Sequence, residues 1–449
     1  MTYPKIIVLD DDPTGTQTVQ DVVVLTVWDA DTLLAELRQP APLFFILTNS
    51  RALPEADARA LNRDIAATIR AVSDRLGVEV LLINRGDSTL RGHFPAEPEA
   101  LSDGMAQRFD AWFIIPFFEE GGRLTRDDVH YVREGSAWVP VSETPFAQDP
   151  AFGYRSANLR QWVAEKTGGN VPAEAVESLS LTELRSGDAD GLTNRLLGFS
   201  GQRVVVVNAT QLSDLEPLAR AVWQAWAAGK RFLFRSAASW VKVLKASVDG
   251  GGAMHPLRFP TNGSSAGGLV VVGSYVPRTT SQLAELLRQH TDLLAVELSV
   301  DNLLDPDAAR YLAQVAETVD ERLARGGNVV VYTSRERLAF DDAAESLAVG
   351  NRLSAALTKL VRCLRVRPRF LVAKGGITSS DIATKALGVR RAIVRGQLLP
   401  GVPVWETGPE SLFPRLWYVV FPGNVGDNEA LAEAVSRLTK ERQSERVIE

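Results

Sequence analysis

Four runs in the N-terminal part of the chain are apolar at consecutive positions rather than at alternate ones: Ile6–Leu9, Leu43–Thr48, Val78–Ile83 and Ala111–Phe117. A strand with one wet face alternates, whereas a strand covered on both faces does not. Between the second and third runs, Leu61, Ile65, Ile69, Val72 and Leu76 recur at helical spacing, so they share one face. Pro54 suits the start of that helix and Gly77 its stop. Buried strands alternating with helices predict a parallel sheet.

The second half has the same style without repeating the sequence. Leu269–Val272, Asn328–Thr333 and Phe370–Ala373 read as strands. Leu312, Val315, Val319 and Leu323 form a helical face that stops at Gly326-Gly327, and Leu353, Leu357, Leu360 and Leu364 form another. Residues 251–268 are dense in Gly, Pro and Ser and lack periodicity, which reads as a linker. At roughly 150 residues per domain, 449 residues accommodate two large domains. The expectation is therefore an α/β chain of two Rossmann-like domains, 1–250 and 269–449, each with a mostly parallel sheet flanked by helices. Residues 135–200 fit this pattern least, and read as an insertion or a lid on the first domain. Trp223, Trp226 and Phe232 read as core or interface packing.

Composition removes several classes of function. Cys363 is the only cysteine, so neither an intrachain disulfide nor a multi-cysteine zinc site can form. The reducing cytoplasm is the expected compartment. His93, His130, His255 and His290 lie far apart with no HExxH spacing, which argues against a histidine metal centre. Lys plus Arg is 49 and Asp plus Glu is 55, a net charge of −6. An acidic chain is a poor nucleic-acid coat or membrane-surface binder. No basic leader or apolar span opens the sequence.

Polar signatures follow strand after strand. Asp10-Asp11-Asp12-Pro13-Thr14-Gly15 follows the first run and Asn49-Ser50-Arg51 the second. Arg85-Gly86-Asp87-Ser88-Thr89-Leu90-Arg91-Gly92-His93 follows the third, and Glu119-Glu120-Gly121-Gly122-Arg123 the fourth. Each has a bland reading as a turn, a helix cap or a solvated loop. Their joint placement argues otherwise, because parallel sheets bind ligands outside the carboxyl ends of their strands. Arginine matches carboxylate geometry with two parallel hydrogen bonds. Asp11, Asp12 and Asp87 suit sugar hydroxyls, a metal ion or a proton. The ligand implied is a small anion that also carries hydroxyls, such as a sugar acid.

The second half carries glycine turns instead. Lys374-Gly375-Gly376-Ile377-Thr378-Ser379-Ser380-Asp381 follows a strand and leads into a helix. Its glycines let backbone amides approach a phosphate, and its hydroxyls add donors. It lacks the GxxxxGK[ST] pattern of a P-loop. Val271-Val272-Gly273-Ser274 and Val419-Val420-Phe421-Pro422-Gly423-Asn424-Val425-Gly426-Asp427 are further glycine-bearing strand ends. Three such turns fit a nucleotide cradle, and each alone also fits a tight turn.

Together these motifs resemble the four-carbon acid sugar kinase family, first described as a domain of unknown function. The likeness spans nearly the whole chain: DDDPTGTQT at 10–18, TNSRAL at 48–53, RGDSTLRGH at 85–93, KGGITSSD at 374–381, PGVP at 400–403 and PGNVGD at 422–427. It implies an ATP-dependent kinase of threonate, erythronate or related acid sugars, with the sugar acid on the N-terminal domain and ATP on the C-terminal one. Carried over, Asp11, Asp12, Arg51, Arg85, Asp87, Ser88 and Arg91 contact substrate. Ser274, Gly375, Gly376, Ile377, Thr378 and Gly423 contact ATP. Arg85 and Phe421 depart from the lysines many members have at or near these places. Arginines 51, 85 and 91 are expected to hold the carboxylate, and Asp12 to take the hydroxyl proton, with Asp87 second. Mg²⁺ is expected to ride on ATP with few protein ligands. A phosphatase or lyase on the same ligand, and a non-catalytic sensor of a metabolite and a nucleotide, are the alternatives. A homodimer is the base-rate expectation.

Overall fold

The apolar runs become inner strands of parallel sheets in the computed structural model, which describes residues 3–251, 255–257, 265–274, 276–305, 307–334 and 343–445. Contacts divide the chain into two units, Met1–Met254 and His255–Glu449. Of the expected linker, residues 252–254 and 258–264 lie outside the described residues.

The first unit holds β1 (Lys5–Asp10), β2 (Val22–Leu25), β3 (Leu43–Leu47), β4 (Val80–Arg85) and β5 (Ala111–Ile115). Next come β6 (Arg123–Arg126), β7 (Val129–Glu134) and β8 (Ala137–Pro140), which form a separate antiparallel sheet. β9 (Glu177–Leu179), β10 (Arg203–Val207) and β11 (Phe232–Ser236) complete the main sheet. Its order is β2-β3-β1-β4-β11-β5-β10-β9, with every pairing parallel. The chain leaves β1 for β2 and β3 on one side, then reaches β4 on the other. The order thus reverses at the β1/β4 boundary, the place beyond the strand ends where sheets of this kind bind their ligands.

Two of these strands run further than their apolar cores. β1 ends on Asp10 and β4 on Asn84-Arg85, all buried. Cross-strand pairing carries the polar residues into the sheet, since Asp10 is the register partner of Arg85. The helix Glu55–Leu76 buries Ile65, Ile69 and Val72 as its spacing predicts. Gly77, at φ +65°, closes it by returning its N–H to the carbonyls of Ser73 and Asp74.

Of residues 135–200, β8 stays with the separate sheet, whereas the stretch after it belongs to the core of the first unit rather than to a lid. β9 joins the main sheet beside β10, and Leu159, Trp162 and Val163 are buried in the same core as β1 and β3. The scattered apolar positions hid this because the elements there are short, none longer than the ten residues of Ala189–Gly198.

The second unit holds β12 (Leu269–Val272), β13 (Leu294–Leu298), β14 (Val329–Thr333), β15 (Phe370–Lys374), β16 (Arg391–Leu399), β17 (Val402–Thr407) and β18 (Trp417–Phe421). Their order is β13-β14-β12-β15-β18-β17-β16. The first five are parallel, and β17 runs antiparallel to both of its neighbours. Here the order reverses at β12/β15. Among the described residues no helix is long and apolar enough to cross a membrane.

Candidate functional site

In the first unit, the polar strand ends meet at the β1/β4 reversal. Asp11 is buried and clasped by Arg51, Nε to Oδ2 at 3.1 Å and Nη2 to Oδ1 at 2.5 Å. Arg85 lies 3.2 Å from Asp10 and 3.7 Å from Asp11. Arg235, at the end of β11, lies 4.0 Å from Asp11 and 3.5 Å from Glu97, and donates to Asn84 at 3.1 Å. Asp12 caps the following turn by accepting from the N–H of Thr14 at 2.8 Å, and its other oxygen lies 3.5 Å from Arg51.

These carboxylates do not share one proton affinity. Burial outweighs Arg85 at Asp10, whose pKa is raised to about 7. Burial also acts on Asp12, but Arg51 and the Thr14 hydrogen bonds outweigh it and hold the carboxyl below its usual range. Asp87 is largely withdrawn from water, and there Arg91, Arg51 and Thr89 outweigh that effect by a wide margin.

The loop after β4 is built around Asp87. Arg91 donates to it from Nε at 2.7 Å, and Thr89 donates its hydroxyl. Arg91 also lies 3.5 Å from Asp149 and stands over the Phe146 ring at 5.0 Å. Ser88 is buried, and its carbonyl lies 2.8 Å from His130 Nε2. The other ring nitrogen of His130 faces the Thr125 hydroxyl at 2.9 Å. Burial lowers the His130 pKa to about 4, so this histidine is a neutral strut. Tyr154 fixes the loop from another side, donating to the Thr89 carbonyl at 2.7 Å. Leu90 is held at φ +68°, a backbone region costly for a side chain of its kind.

In the second unit, the ends of β12, β15 and β18 form a glycine-lined concavity. Gly375 sits at φ +118°, and a Cβ there would lie 2.9 Å from the Ser274 Cβ. A Cβ on Gly273 would meet the Thr378 hydroxyl at 2.4 Å, and one on Gly423 the Ser274 hydroxyl at 3.5 Å. The expected Gly375–Thr378 turn is in fact the start of a helix, Gly376–Asp381, so Gly376, Ile377 and Thr378 lie in its first turn. Thr378 is buried, whereas Ile377 is 59% exposed.

The loop after β18 turns its carbonyls inward. Lys374 Nζ donates to Pro422 at 2.5 Å and to Gly423 at 3.2 Å. Thr279 also reaches Gly423, Gln282 reaches Val425 and Asp427, and Arg278 reaches Gly426. A planar trans peptide directs its N–H opposite its C=O, so the amides of Gly423 and Asn424 face away from these donors. Burial lowers the Lys374 pKa to about 7, and its ammonium stands 4.2 Å from the Phe421 ring centre. A cavity of about 730 Å³ lies beside the concavity, lined by Ser354, Thr358, Cys363, Ile377, Asp381 and Lys385 among others. No group of three or more His, Cys, Asp or Glu side chains able to hold a metal ion occurs among the described residues.

The fold therefore gathers Asp11, Asp12, Arg51, Arg85, Asp87, Ser88 and Arg91 in the first unit. It gathers Ser274, Gly375, Gly376, Thr378 and Gly423 in the second, with Ile377 on the adjoining cavity. Sequence reasoning placed Asp10 and Lys374 in their motifs without giving either a role, and missed Arg235. Arg235-Ser236 closing Phe232–Phe234 obeys the same strand-end rule as the others, so a signal for it existed.

Comparison with known proteins agrees with this division. A family model described as a sugar-binding N-terminal domain matches residues 6–244, and one described as a nucleotide-binding C-terminal domain matches 269–431. No curated protein sequence matches. Among solved structures, a protein of unknown function from Haemophilus influenzae is similar at TM-score 0.66 and 19% identity, covering 96% of this chain and 99% of its own. A protein of Salmonella typhimurium described as a putative tRNA synthase has TM-score 0.71 and 17% identity, over 98% and 99%. A Bordetella bronchiseptica domain of unknown function, solved with citrate as a domain-swapped dimer, has TM-score 0.41 and 25% identity, over 97% and 98%. The first two likenesses are likenesses of fold.

Proposed function

We propose, from the premise that this chain belongs to the family that joins a sugar-binding N-terminal domain to a nucleotide-binding C-terminal domain, that it transfers a phosphoryl group from ATP to a hydroxyl of a small sugar acid. The observation that carries this reading is a division of chemistry. One unit ends its strands in arginines and aspartates, and the other ends its strands in a glycine-lined concavity. A sensor would use such carboxylates only to accept from sugar hydroxyls, whereas a transferase also uses one to receive the proton of the attacking hydroxyl.

Phosphoryl transfer demands positioning and charge neutralisation more than covalent chemistry. Asp12 is the carboxylate proposed to meet the attacking hydroxyl, because Asp11 is closed in by arginines while Asp12 keeps 19% of its side chain exposed. Asp87 remains the second choice. Ser274, Gly375, Gly376, Thr378 and Gly423 are proposed to hold the phosphates, and the cavity lined by Ile377 and Cys363 the nucleoside. Mg²⁺ is proposed to enter with ATP, supplying charge neutralisation at the phosphates. A four-carbon acid such as threonate or erythronate is the substrate class proposed.

A coupled ADP-release screen over four-carbon and related acid sugars tests the reading. Sugar-acid-dependent ADP formation, lost in Asp12→Asn with ATP binding retained, supports it. Binding of both ligands without ADP formation across the panel would establish the sensor instead.

A further inference from the structure

The strand-end arginines of the first unit are not equivalent, and the difference points to the one that recognises the ligand's negative charge. Arg51 is held by Asp11 and Asp12, Arg85 by Asp10 and Asp11, Arg91 by Asp87 and Asp149, and Arg235 by Glu97 and Asp11. A guanidinium already paired with carboxylates has its charge largely neutralised and attracts another anion less strongly. Arg123 differs. No carboxylate of the described residues pairs with it, its Nη1 donates only to the Gly121 carbonyl of its own loop, and its Nε is buried without a partner.

Its loop keeps it in place. Phe118 and Arg123 exchange backbone hydrogen bonds, N–H to carbonyl at 3.1 and 2.9 Å, which closes the turn at the end of β5. The acidic neighbours that would otherwise neutralise Arg123 are held elsewhere. Glu119 accepts from the N–H of Leu212 at 3.2 Å, and Glu120 from Lys242 at 2.6 Å. Arg123 feels the attraction of Asp87 and the repulsion of Arg91, so it borders the Asp87–Arg91 loop. Arg123 is partly buried, and a partly buried cation that no carboxylate pairs with directly is costly, a cost that an anionic ligand would relieve.

A second group is orphaned in the opposite sense. Asp10 Oδ2 is buried with no donor, next to Gly15. Other polar atoms at these strand ends are unpaired too, Arg85 Nε and Ser236 Oγ among them, but Arg123 is the one arginine of this set with no carboxylate paired to it.

We propose that Arg123 is the carboxylate-recognition residue of the first unit and sets its preference for sugar acids over neutral sugars and polyols. This rests on the sugar-acid reading above but not on catalysis. It is tested by calorimetric binding of a four-carbon aldonate and of the matching neutral tetritol to the full chain, as wild type, Arg123→Met and Arg123→Lys, alongside ADP release and thermal melting.

The wild type should bind the aldonate at least tenfold more tightly than the tetritol. Arg123→Met should weaken aldonate binding by roughly 10- to 100-fold and leave tetritol binding unchanged, because only a charge-assisted contact is lost. Arg123→Lys should recover part of the loss. Since the unliganded site gains nothing from an unpaired cation, Arg123→Met should melt no lower than the wild type. A structural role predicts the reverse, a lower melting temperature with both ligands weakened together, and that result overturns the proposal. So does unchanged aldonate affinity in Arg123→Met. Aldonate binding by the wild type without ADP release overturns the kinase reading alone. Wild type that binds no sugar acid overturns both.

Discussion

Asp10 and Arg85 are register partners on adjacent parallel strands, with Arg85 Nη1 3.2 Å from Asp10 Oδ1, yet the Asp10 pKa is raised to about 7. Burial is the larger influence, with Asp11 and Asp12 adding repulsion and Arg51 a smaller attraction. Attraction from one guanidinium does not offset the loss of water around a fully enclosed carboxyl.

This makes the site's charge change near neutral pH. As Asp10 ionises above about pH 7, the site gains a negative charge that opposes an anionic substrate. KM for the sugar acid should therefore rise roughly three- to tenfold from pH 6 to pH 8. Asp10→Asn should give a flat profile at the low-pH value. Stability carries the same sign. Between about pH 4 and pH 7 the folded protein holds a proton that the unfolded chain has released. Asp10's contribution is thus present in acid and lost as the pH rises through about 7, a slope that Asp10→Asn should remove from denaturant titrations.

Gly375 and Gly423 should separate folding from nucleotide binding. An alanine at 375 meets both a positive φ and the Ser274 side chain, so Gly375→Ala should cost about 1–3 kcal/mol of stability and ATP binding as well. A Cβ at 423 has its nearest neighbours at 3.5 and 3.6 Å, ordinary contact. Gly423→Ala should melt like the wild type while weakening ATP, because its methyl occupies space meant for phosphate. Equal ATP affinity in Gly423→Ala, by calorimetry, would remove the phosphates from this concavity.

Lys374 acts as a positioning residue on the loop after β18. Lys374→Met removes the donors to Pro422 and Gly423, and should raise KM for ATP about tenfold or more with a smaller change in kcat. The lowered pKa, about 7, gives the stability test its sign. Between about pH 7 and pH 10 the unfolded chain holds a proton that the folded amine has shed. Wild-type stability should therefore gain from this group as the pH rises through that window, and Lys374→Met should lose the gain.

Cys363 reports on the proposed nucleoside cavity. It is exposed, lines that cavity, and is the only cysteine of the chain. A maleimide should attach once per chain, and saturating ATP should slow the reaction at least tenfold by occlusion. An unchanged labelling rate with ATP bound would move the nucleoside elsewhere.

The sequence legibly carried the parallel strands, because Ile6–Leu9 and Phe370–Ala373 are apolar without alternation. It also carried the strand-end loops, because Asp, Arg and Gly break apolar runs abruptly. It did not carry the place of residues 135–200, whose core contacts through Trp162 and Val163 come from elements too short to have a period.

Most of all, it did not carry the charge pairing. Arg51, Arg85, Arg91 and Arg123 look alike as residues after apolar runs. Only the folded chain brings Arg235 to within 4.0 Å of Asp11, and sends Glu120 to Lys242 rather than to Arg123. Strand formation follows from local patterns of burial, which a linear sequence records. Neutralisation depends on which charges lie within a few ångströms after residues far apart in the chain are folded together, and that decides which arginine still needs an anion.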